Sequence, residues 1–143
     1  MFKLDLGCGA NKKEGYFGLD TRKGNSVDIV ASATNLPFRD NSVDAVFTRR
    51  CIQHVKDHEK SIREIWRVLK YNSMAEITVA SYRGWFYYHL KNIRQKPYST
   101  FHLYTDASLE RMLKKADFYL VEKRHVKTRK LGYDISVVVK KKS

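Results

Sequence analysis

The chain has 143 residues, and its 28 lysines and arginines against 15 aspartates and glutamates give a net charge of +13. This length makes one domain, residues 1–143, with enough chain to bury a core. No apolar run approaches the roughly 18 residues that cross a bilayer, and residue 1 already opens a predicted strand, so we expect a soluble cytoplasmic protein without a leader or a membrane contact. Cys8 and Cys51 lack the spacing of a metal site or a disulfide framework, and no bound metal is expected.

The positive charge favours attraction to polyanions and excludes nothing about the fold. A nucleic acid is therefore one candidate partner. The alternative is a solvated lysine-rich surface of the heat-adapted kind, but in such proteins glutamate usually rises with lysine, and here it does not.

Hydrophobic alternation and turn residues predict seven strands, at 1–6, 16–19, 27–31, 43–48, 75–80, 119–126 and 133–139. A short helix is predicted at 50–55. A longer helix starts after Asp57, carries apolar residues at helical spacing and stops at Asn72, which tolerates a left-handed backbone. A last helix begins at Thr105 or Asp106. The final two strands are close enough in sequence to form a hairpin, and the tail at 140–143 is expected to be frayed and solvated.

Two crossover helices are missing from this pattern. The interval between the first two strands is shorter than the roughly dozen residues that a parallel crossover needs, and residues 22–26 form a loop. The strands also alternate between apolar and polar residues, whereas strands buried on both faces are continuously apolar. The sequence therefore predicts helices on one face of the sheet only, with the other face either wet or covered by a second copy in a homodimer.

Residues 82–104 form an aromatic insertion after the fifth strand. It contains eight of the 18 aromatic residues of the chain. Because open α/β sheets bind ligands at the C-terminal ends of their strands, the insertion is a candidate lid over a pocket. Alternatively, the rings cover the edge of the sheet.

The turn Gly7-Cys8-Gly9 follows the first strand, and Asp20 ends the second. Glycines let the backbone turn tightly and approach a ligand closely. A carboxylate offers two acceptor oxygens, which suit the two hydroxyls of a ribose. Together they indicate a nucleoside pocket.

An ordered set of segments extends this pattern over most of the chain. In chain order these segments are Leu4-Asp5-Leu6-Gly7-Cys8-Gly9, Gly18-Leu19-Asp20, residues 35–44, residues 51–55, residues 62–70, residues 102–105 and residues 116–118. This set resembles the class I S-adenosylmethionine-dependent methyltransferases of the small-molecule type. The resemblance implies a Rossmann-like α/β fold with a mostly parallel seven-stranded sheet and an antiparallel last strand, here with N-terminal helices reduced or missing. It also implies S-adenosyl-L-methionine as cofactor and transfer of its methyl group to an acceptor, which the sequence does not identify.

The resemblance also assigns the cofactor contacts. Asp5 and the backbone of Gly7, Cys8 and Gly9 would contact the methionine part of the cofactor, and Asp20 would bind the ribose hydroxyls. The adenine edge would lie against Ser32, Ala33 and Thr34. Thr48 and Arg49 would also reach the methionine end. Two positions depart from the family pattern: Asn11 stands at the third glycine-like position, and Ser32 replaces a frequent acidic residue. A hydroxyl is a weaker acceptor than a carboxylate.

His54, just beyond the fourth strand, is the candidate general base, because an imidazole titrates near neutrality. A structural role for this histidine is the alternative. Tyr82, Tyr87, His89 and His102 are weaker candidates, and Arg49 or Arg50 would suit an anionic group.

Other functions fit the residues less well. A nicotinamide dehydrogenase is disfavoured because Lys12 occupies the third glycine position of its motif. Residues 47–50 also lack the Asn/Asp-Pro-Pro-aromatic motif of enzymes that methylate exocyclic amines of bases. A reduced methyltransferase-like module that binds nucleic acid or a partner protein without turnover remains the alternative function.

Overall fold

The computed structural model describes residues 1–83, 100–128 and 132–143. Its seven strands are β1 (Lys3–Leu6), β2 (Phe17–Asp20), β3 (Ile29–Val30), β4 (Val43–Arg49), β5 (Leu69–Ala80), β6 (Phe118–Lys127) and β7 (Tyr133–Lys141). They form one sheet in the order β3-β2-β1-β4-β5-β7-β6. β7 is antiparallel to both β5 and β6, and the other pairs are parallel. The predicted α/β fold with an antiparallel last strand is confirmed.

The described α-helices are α1 (His58–Val68) and α2 (Asp106–Lys115), and a single 3-10 turn spans Ile52–His54. Both helices begin at the predicted caps. The Asp57 side chain accepts a hydrogen bond from the Lys60 amide, and Thr105 and Ser108 form a reciprocal capping box. Each cap supplies a partner for amide groups that the first helical turn leaves unbonded.

The core lies between the sheet and these helices. Leu4 of β1 is in register with Val46, Val46 with Ala75, and Ala75 with Val139, so their side chains share one face of the sheet. All four are buried. The same core contains the apolar residues of the two helices, which are Ile62, Ile65, Val68, Leu109, Met112 and Leu113.

The opposite face carries the intervening residues of the strands, and we call it the open face. Asp5, Phe47, Glu76 and Val138 form one row across it. No helix is present between β1 and β2 or between β2 and β3, and the second interval contains residues 22–26, which were predicted to form a loop. Phe47, Glu76 and Val138 are only partly buried, whereas Asp5 and the neighbouring Thr78 and Ser136 are buried, so this face is solvated in part. The helices of the described ranges therefore lie on one face of the sheet, as the alternation of its strands predicts.

Several predicted boundaries were wrong for identifiable reasons. Asn72 does have a left-handed backbone, with φ of 64°, but it lies inside β5. The helix ends earlier, at Val68, because Leu69 pairs with Val43 at the start of β5. The predicted helix at 50–55 is only a 3-10 turn, and β3 has two residues instead of five.

The C-terminal tail was wrongly predicted to be solvated. β7 continues to Lys141, whose side chain is 1% exposed. Its ammonium group donates to Trp66 O at 2.8 Å and Asn41 Oδ1 at 2.7 Å, and it lies 3.9 Å from the centroid of the Trp66 ring. The carbonyl end of α1 and an aromatic ring thus stabilise a buried cation.

The predicted lid falls mostly at 84–99, outside the described residues. No described helix is long and apolar enough to cross a membrane.

Candidate functional site

The glycine turn lies where the C-terminal ends of β1, β2 and β4 meet. Gly7 and Gly9 have φ of 73° and 55°, in the left-handed region that favours glycine. The amide groups of Gly7 and Cys8 both donate to Leu19 O, at 2.8 and 3.2 Å. A Cβ at Gly7 would lie only 2.5 Å from both Cβ and Sγ of Cys51. The turn is therefore held between the end of β2 and the segment that follows β4.

The Asp20 carboxylate lies directly beside this turn. Its Oδ2 accepts a hydrogen bond from the Gly9 amide at 3.0 Å, and its Oδ1 accepts one from the Arg22 amide at 3.1 Å. The residue is half-buried. The Thr21 hydroxyl makes a longer contact with the same Oδ1, at 3.5 Å. A carboxylate has about four acceptor positions, so Oδ2 retains capacity for a hydroxyl donor. The acceptor and the bare backbone that the sequence pointed to are thus adjacent in the fold.

Asp5 supports the turn from within the protein. It is 2% exposed, and its Oδ2 accepts the Lys13 amide at 2.7 Å. Burial raises the pKa of this carboxyl above its usual value, although the Lys13 amide and the charges of Arg49 and Lys13 oppose the shift. One carboxylate oxygen is therefore occupied in holding the loop at 7–16, which takes the place of a helix.

A second set of contacts fixes the loop at 21–28 against the glycine turn. The Gly18 amide donates to Asp28 Oδ2 at 2.7 Å, and Lys12 Nζ pairs with the same oxygen at 2.7 Å. The Lys12 contact is the main cause of the lowered pKa of Asp28. On the other side of the loop, Ser26 Oγ donates to Ala10 O at 2.8 Å. These contacts connect two loops that no crossover helix covers.

The segment expected at the adenine edge follows β3. The Ala31 amide donates to Asp20 O at 3.0 Å, which places this segment beside the end of β2. Ser32 is exposed, and its Oγ accepts the Thr34 amide at 3.2 Å and lies 2.8 Å from Thr34 Oγ1. Ala33 is buried in the core. The Ser32 hydroxyl is therefore already engaged in a local turn.

The two residues at the end of β4 face opposite sides of the sheet. The Thr48 side chain is fully buried on the helix-covered face, and among the described residues its Oγ1 has no nitrogen or oxygen partner. Arg49 is exposed on the open face, where its charge opposes the rise in the pKa of Asp5 that burial causes. The next residue, Arg50, has a left-handed backbone and pairs with Asp134 Oδ2 at 2.7 Å. Only the Thr48 main chain, not its side chain, can thus face a ligand at this edge.

His54 ends the 3-10 turn beyond β4 and is exposed. The neighbouring Gln53 is buried and connects several segments at this edge. Its main-chain oxygen accepts the amides of Phe101 and His102 at 3.0 and 3.2 Å, and its Oε1 accepts the Ala80 amide at 2.6 Å. Gln53 thus positions residues 100–102 next to the ends of β4 and β5.

A histidine pair at the same edge was not predicted. The rings of His58 and His102 stack with centroids 3.5 Å apart, and His58 Nδ1 lies 2.7 Å from the Tyr104 hydroxyl. Burial, together with the neighbouring His102, lowers the pKa of His58. The sequence offered His102 as a weak candidate but gave no signal for His58, which stands as the first residue of α1.

Comparisons with known proteins identify the family and the fold. A family model described as a methyltransferase domain matches residues 4–76, just over half of the chain. Norajmaline N-methyltransferase of Rauvolfia serpentina is 54% identical over 39 residues, which are 27% of this chain and 13% of that enzyme. The chain thus matches only a small part of that relative's length.

Solved structures show the same fold at low sequence identity. An S-adenosylmethionine-dependent methyltransferase from Methanosarcina mazei superposes with a TM-score of 0.76 and 18% identity, covering 98% of this chain and 92% of that one. The 1,6-didemethyltoxoflavin-N1-methyltransferase of Burkholderia thailandensis, solved with S-adenosylhomocysteine, gives 0.78 and 14%, covering 99% and 71%. The chain therefore belongs to the methyltransferase domain family, and its fold is that of the class I S-adenosylmethionine-dependent methyltransferases.

Proposed function

We propose that this protein binds S-adenosyl-L-methionine between the glycine turn and Asp20 and transfers its methyl group to an acceptor at the same edge of the sheet. The observation that carries the proposal is the 3.0 Å contact between the Gly9 amide and Asp20 Oδ2. It brings a two-oxygen acceptor and a turn whose exposed backbone is flanked by two glycines to one place. This is the donor and acceptor set that a nucleoside with an amino-acid tail requires.

In this proposal each part of the candidate site has a defined role. Asp20 accepts from the ribose hydroxyls, and the main chain at 7–9 lies against the methionine part. Asp5 acts through the loop, because its oxygen holds the Lys13 amide. The segment at 32–34 lies at the adenine edge, with the Ser32 hydroxyl available only if it leaves its local turn. At the end of β4, the Thr48 main chain and the Arg49 guanidinium approach the methionine carboxylate.

The cofactor supplies a methyl group bonded to a sulfonium sulfur. Once the methyl group is transferred, the rest of the cofactor is the leaving group, a neutral thioether. The protein then has to align the nucleophile within about 3 Å of that carbon and exclude water. We assign the removal of the nucleophile's proton to His54, which is exposed beyond β4. Gln53 is a positioning residue in this scheme, because it fixes the segment at 100–102 beside that edge.

Isothermal titration calorimetry with S-adenosylmethionine and S-adenosylhomocysteine tests the binding step. Asp20→Asn keeps the shape but removes the charge, and we expect at least a tenfold weaker affinity, which corresponds to about 1.4 kcal/mol. Asp117→Asn is the matched control. Asp117 has a left-handed backbone that asparagine tolerates, and it precedes β6 at the opposite end of the sheet. No heat of binding at millimolar ligand, or equal losses in both variants, would defeat the proposal.

Transfer is tested with tritiated S-adenosylmethionine and cell extract separated into small-molecule and macromolecular fractions. We expect label to accumulate in one fraction with the wild-type protein and not with Asp20→Asn. His54→Gln should lower the rate at saturating cofactor and leave cofactor affinity unchanged. A rate that is the same as the wild type across pH 6 to 9 would remove His54 as the base.

A further inference from the structure

We propose that the open face of the sheet binds single-stranded nucleic acid. This surface adjoins the candidate cofactor site and shares Arg49 and Asp5 with it, but the inference does not rest on the proposed methyl transfer. The register of the strands places the participating side chains, because Met74 pairs with Lys140 and Glu76 with Val138 on this face. Within the described residues, no helix packs against it.

Positive charge dominates this surface. Its basic residues are Lys3, Lys13, Arg49, Arg50, Arg124, Lys140 and Lys142, and its carboxylates are Asp5, Glu76, Glu122 and Asp134. Asp5 is buried, and the buried Asp134 is already paired with Arg50 at 2.7 Å. Glu76 is shared between Lys13 and Arg124, each at 3.4 Å. The accessible carboxylates are therefore too few to neutralise the accessible cations.

Four of these cations form no salt bridge with the described residues, and one of them, Lys142, lies over the Tyr119 ring. Among the described residues, no carboxylate lies within 4.0 Å of the Lys3, Arg49 or Lys140 side chains. Residues 84–99 and 129–131 contain no aspartate or glutamate, so they hold no acid that could pair with these side chains. Unpaired cations on a flat surface attract phosphates, which need not be recognised in any fixed sequence.

Aromatic rings lie among the cations. Tyr119 is 53% exposed, with Lys142 Nζ 4.2 Å from its ring centroid. Tyr16 and Phe47 pack edge to face at 6.1 Å, and Lys13 Nζ lies 4.1 Å from the Phe47 centroid. Sheet faces that combine exposed rings with basic side chains stack unpaired bases while the cations follow the backbone.

The charge distinguishes this partner from the other occupants of an uncovered sheet. A second copy would bring two positive faces together, and like charges in an interface oppose association. An anionic membrane surface also offers negative charge, but amphipathic binding to it needs a contiguous apolar stripe. Here Met74 and Tyr119 are separated by Lys140. A strand with phosphates and accessible bases matches both the cations and the rings.

The test is fluorescence anisotropy of the full chain with a labelled 15-nucleotide single-stranded RNA and the same DNA sequence, at several salt concentrations. We expect affinity to fall with salt, with a slope of about −0.7 per phosphate contacted. The double variant Lys3→Gln/Lys140→Gln should bind at least tenfold more weakly and lower the slope by about 1.4. The control double variant Lys60→Gln/Lys114→Gln removes the same charge from exposed positions on α1 and α2. It should change the salt slope by less than half of the change expected for Lys3→Gln/Lys140→Gln.

A variant of the ring isolates stacking from charge. Tyr119→Ser should weaken binding about tenfold without changing the salt slope, since the lost contact is not ionic. Three results would each overturn the proposal. They are an equal loss of affinity in the two double variants, tighter binding to phosphatidylserine vesicles than to the oligonucleotides, and a concentration-dependent dimer in sedimentation that covers the open face. The same open-face variants are also titrated with S-adenosylhomocysteine by calorimetry, and we expect wild-type affinity. Failure of nucleic-acid binding can then be distinguished from failure of the proposed methyltransferase function.

Discussion

Replacing Gly7 by alanine tests how the candidate site is built. Gly7 and Gly15 have nearly the same backbone, with φ of 73° and 77°, but their surroundings differ. A Cβ at Gly15 meets nothing within 4 Å, whereas at Gly7 it lies 2.5 Å from both Cβ and Sγ of Cys51. The two substitutions therefore share the cost of a left-handed alanine and differ in steric overlap alone.

The structure gives the expected size of each loss. A left-handed alanine costs about 1–2 kcal/mol, which is the whole loss expected for Gly15→Ala. Gly7→Ala carries in addition an overpacking cost of about 1–3 kcal/mol, because Cys51 is held by the 3-10 turn that follows it. Equilibrium unfolding in urea, followed by circular dichroism without any ligand, measures both values.

Cys51 provides the second half of a double-mutant cycle. Cys51→Gly removes both atoms that the new Cβ would overlap, so Gly7→Ala in that background should cost no more than Gly15→Ala. Cys51→Ala removes only Sγ and should give an intermediate result. Equal losses for Gly7→Ala and Gly15→Ala in the wild-type background, or no recovery with Cys51→Gly, would refute this account of the turn.

Three further predictions concern titratable groups that are partly or fully buried. Burial beside His102 lowers the pKa of His58, so the unfolded state binds more protons than the folded state as the pH falls below about 7. The free energy of unfolding should therefore fall between pH 7 and 5. His58→Gln should flatten this dependence, which urea unfolding at each pH measures. Burial raises the pKa of Cys51 from 9.0 to about 11, so alkylation by iodoacetamide at pH 8, followed by mass spectrometry, should be roughly 100-fold slower than in the unfolded chain, and a fast reaction would contradict this burial. Lys141→Met removes the donor to Trp66 O and Asn41 Oδ1 and should lower the urea unfolding free energy by about 1–3 kcal/mol, while Lys142→Met stays within about 0.5 kcal/mol.

The sequence predicts those parts of the fold that depend on residues close together in the chain. Alternation along the strands predicted which face is buried, and the short distance between β1 and β2 predicted the missing crossover. Asn72 shows the limit of such patterns. Asparagine tolerates a left-handed backbone both at a helix end and within an irregular strand, and only the pairing of Leu69 with Val43 decides between them.

The parts that escaped prediction depend on contacts between distant residues. Lys141 lies in a run of three lysines, which by composition indicates a solvated tail. It is buried because Trp66 and Asn41, from two other parts of the chain, supply a ring and oxygens. The stack of His58 on His102 likewise joins α1 to a segment about forty residues later. No periodicity in the sequence reports either contact.

The missing crossover also changes how the site is supported. A helix that followed the glycine turn would offer its N-terminal amides to an anionic group. Here the chain instead continues as a loop, and the buried Asp5 holds that loop by the Lys13 amide while Lys13 Nζ lies over Phe47 on the open face. The same loop therefore fixes the glycine turn and contributes a cation to the basic surface. The absence of a helix here thus leaves the glycine turn supported at the candidate cofactor edge and leaves uncovered part of the sheet face on which the second binding proposal depends.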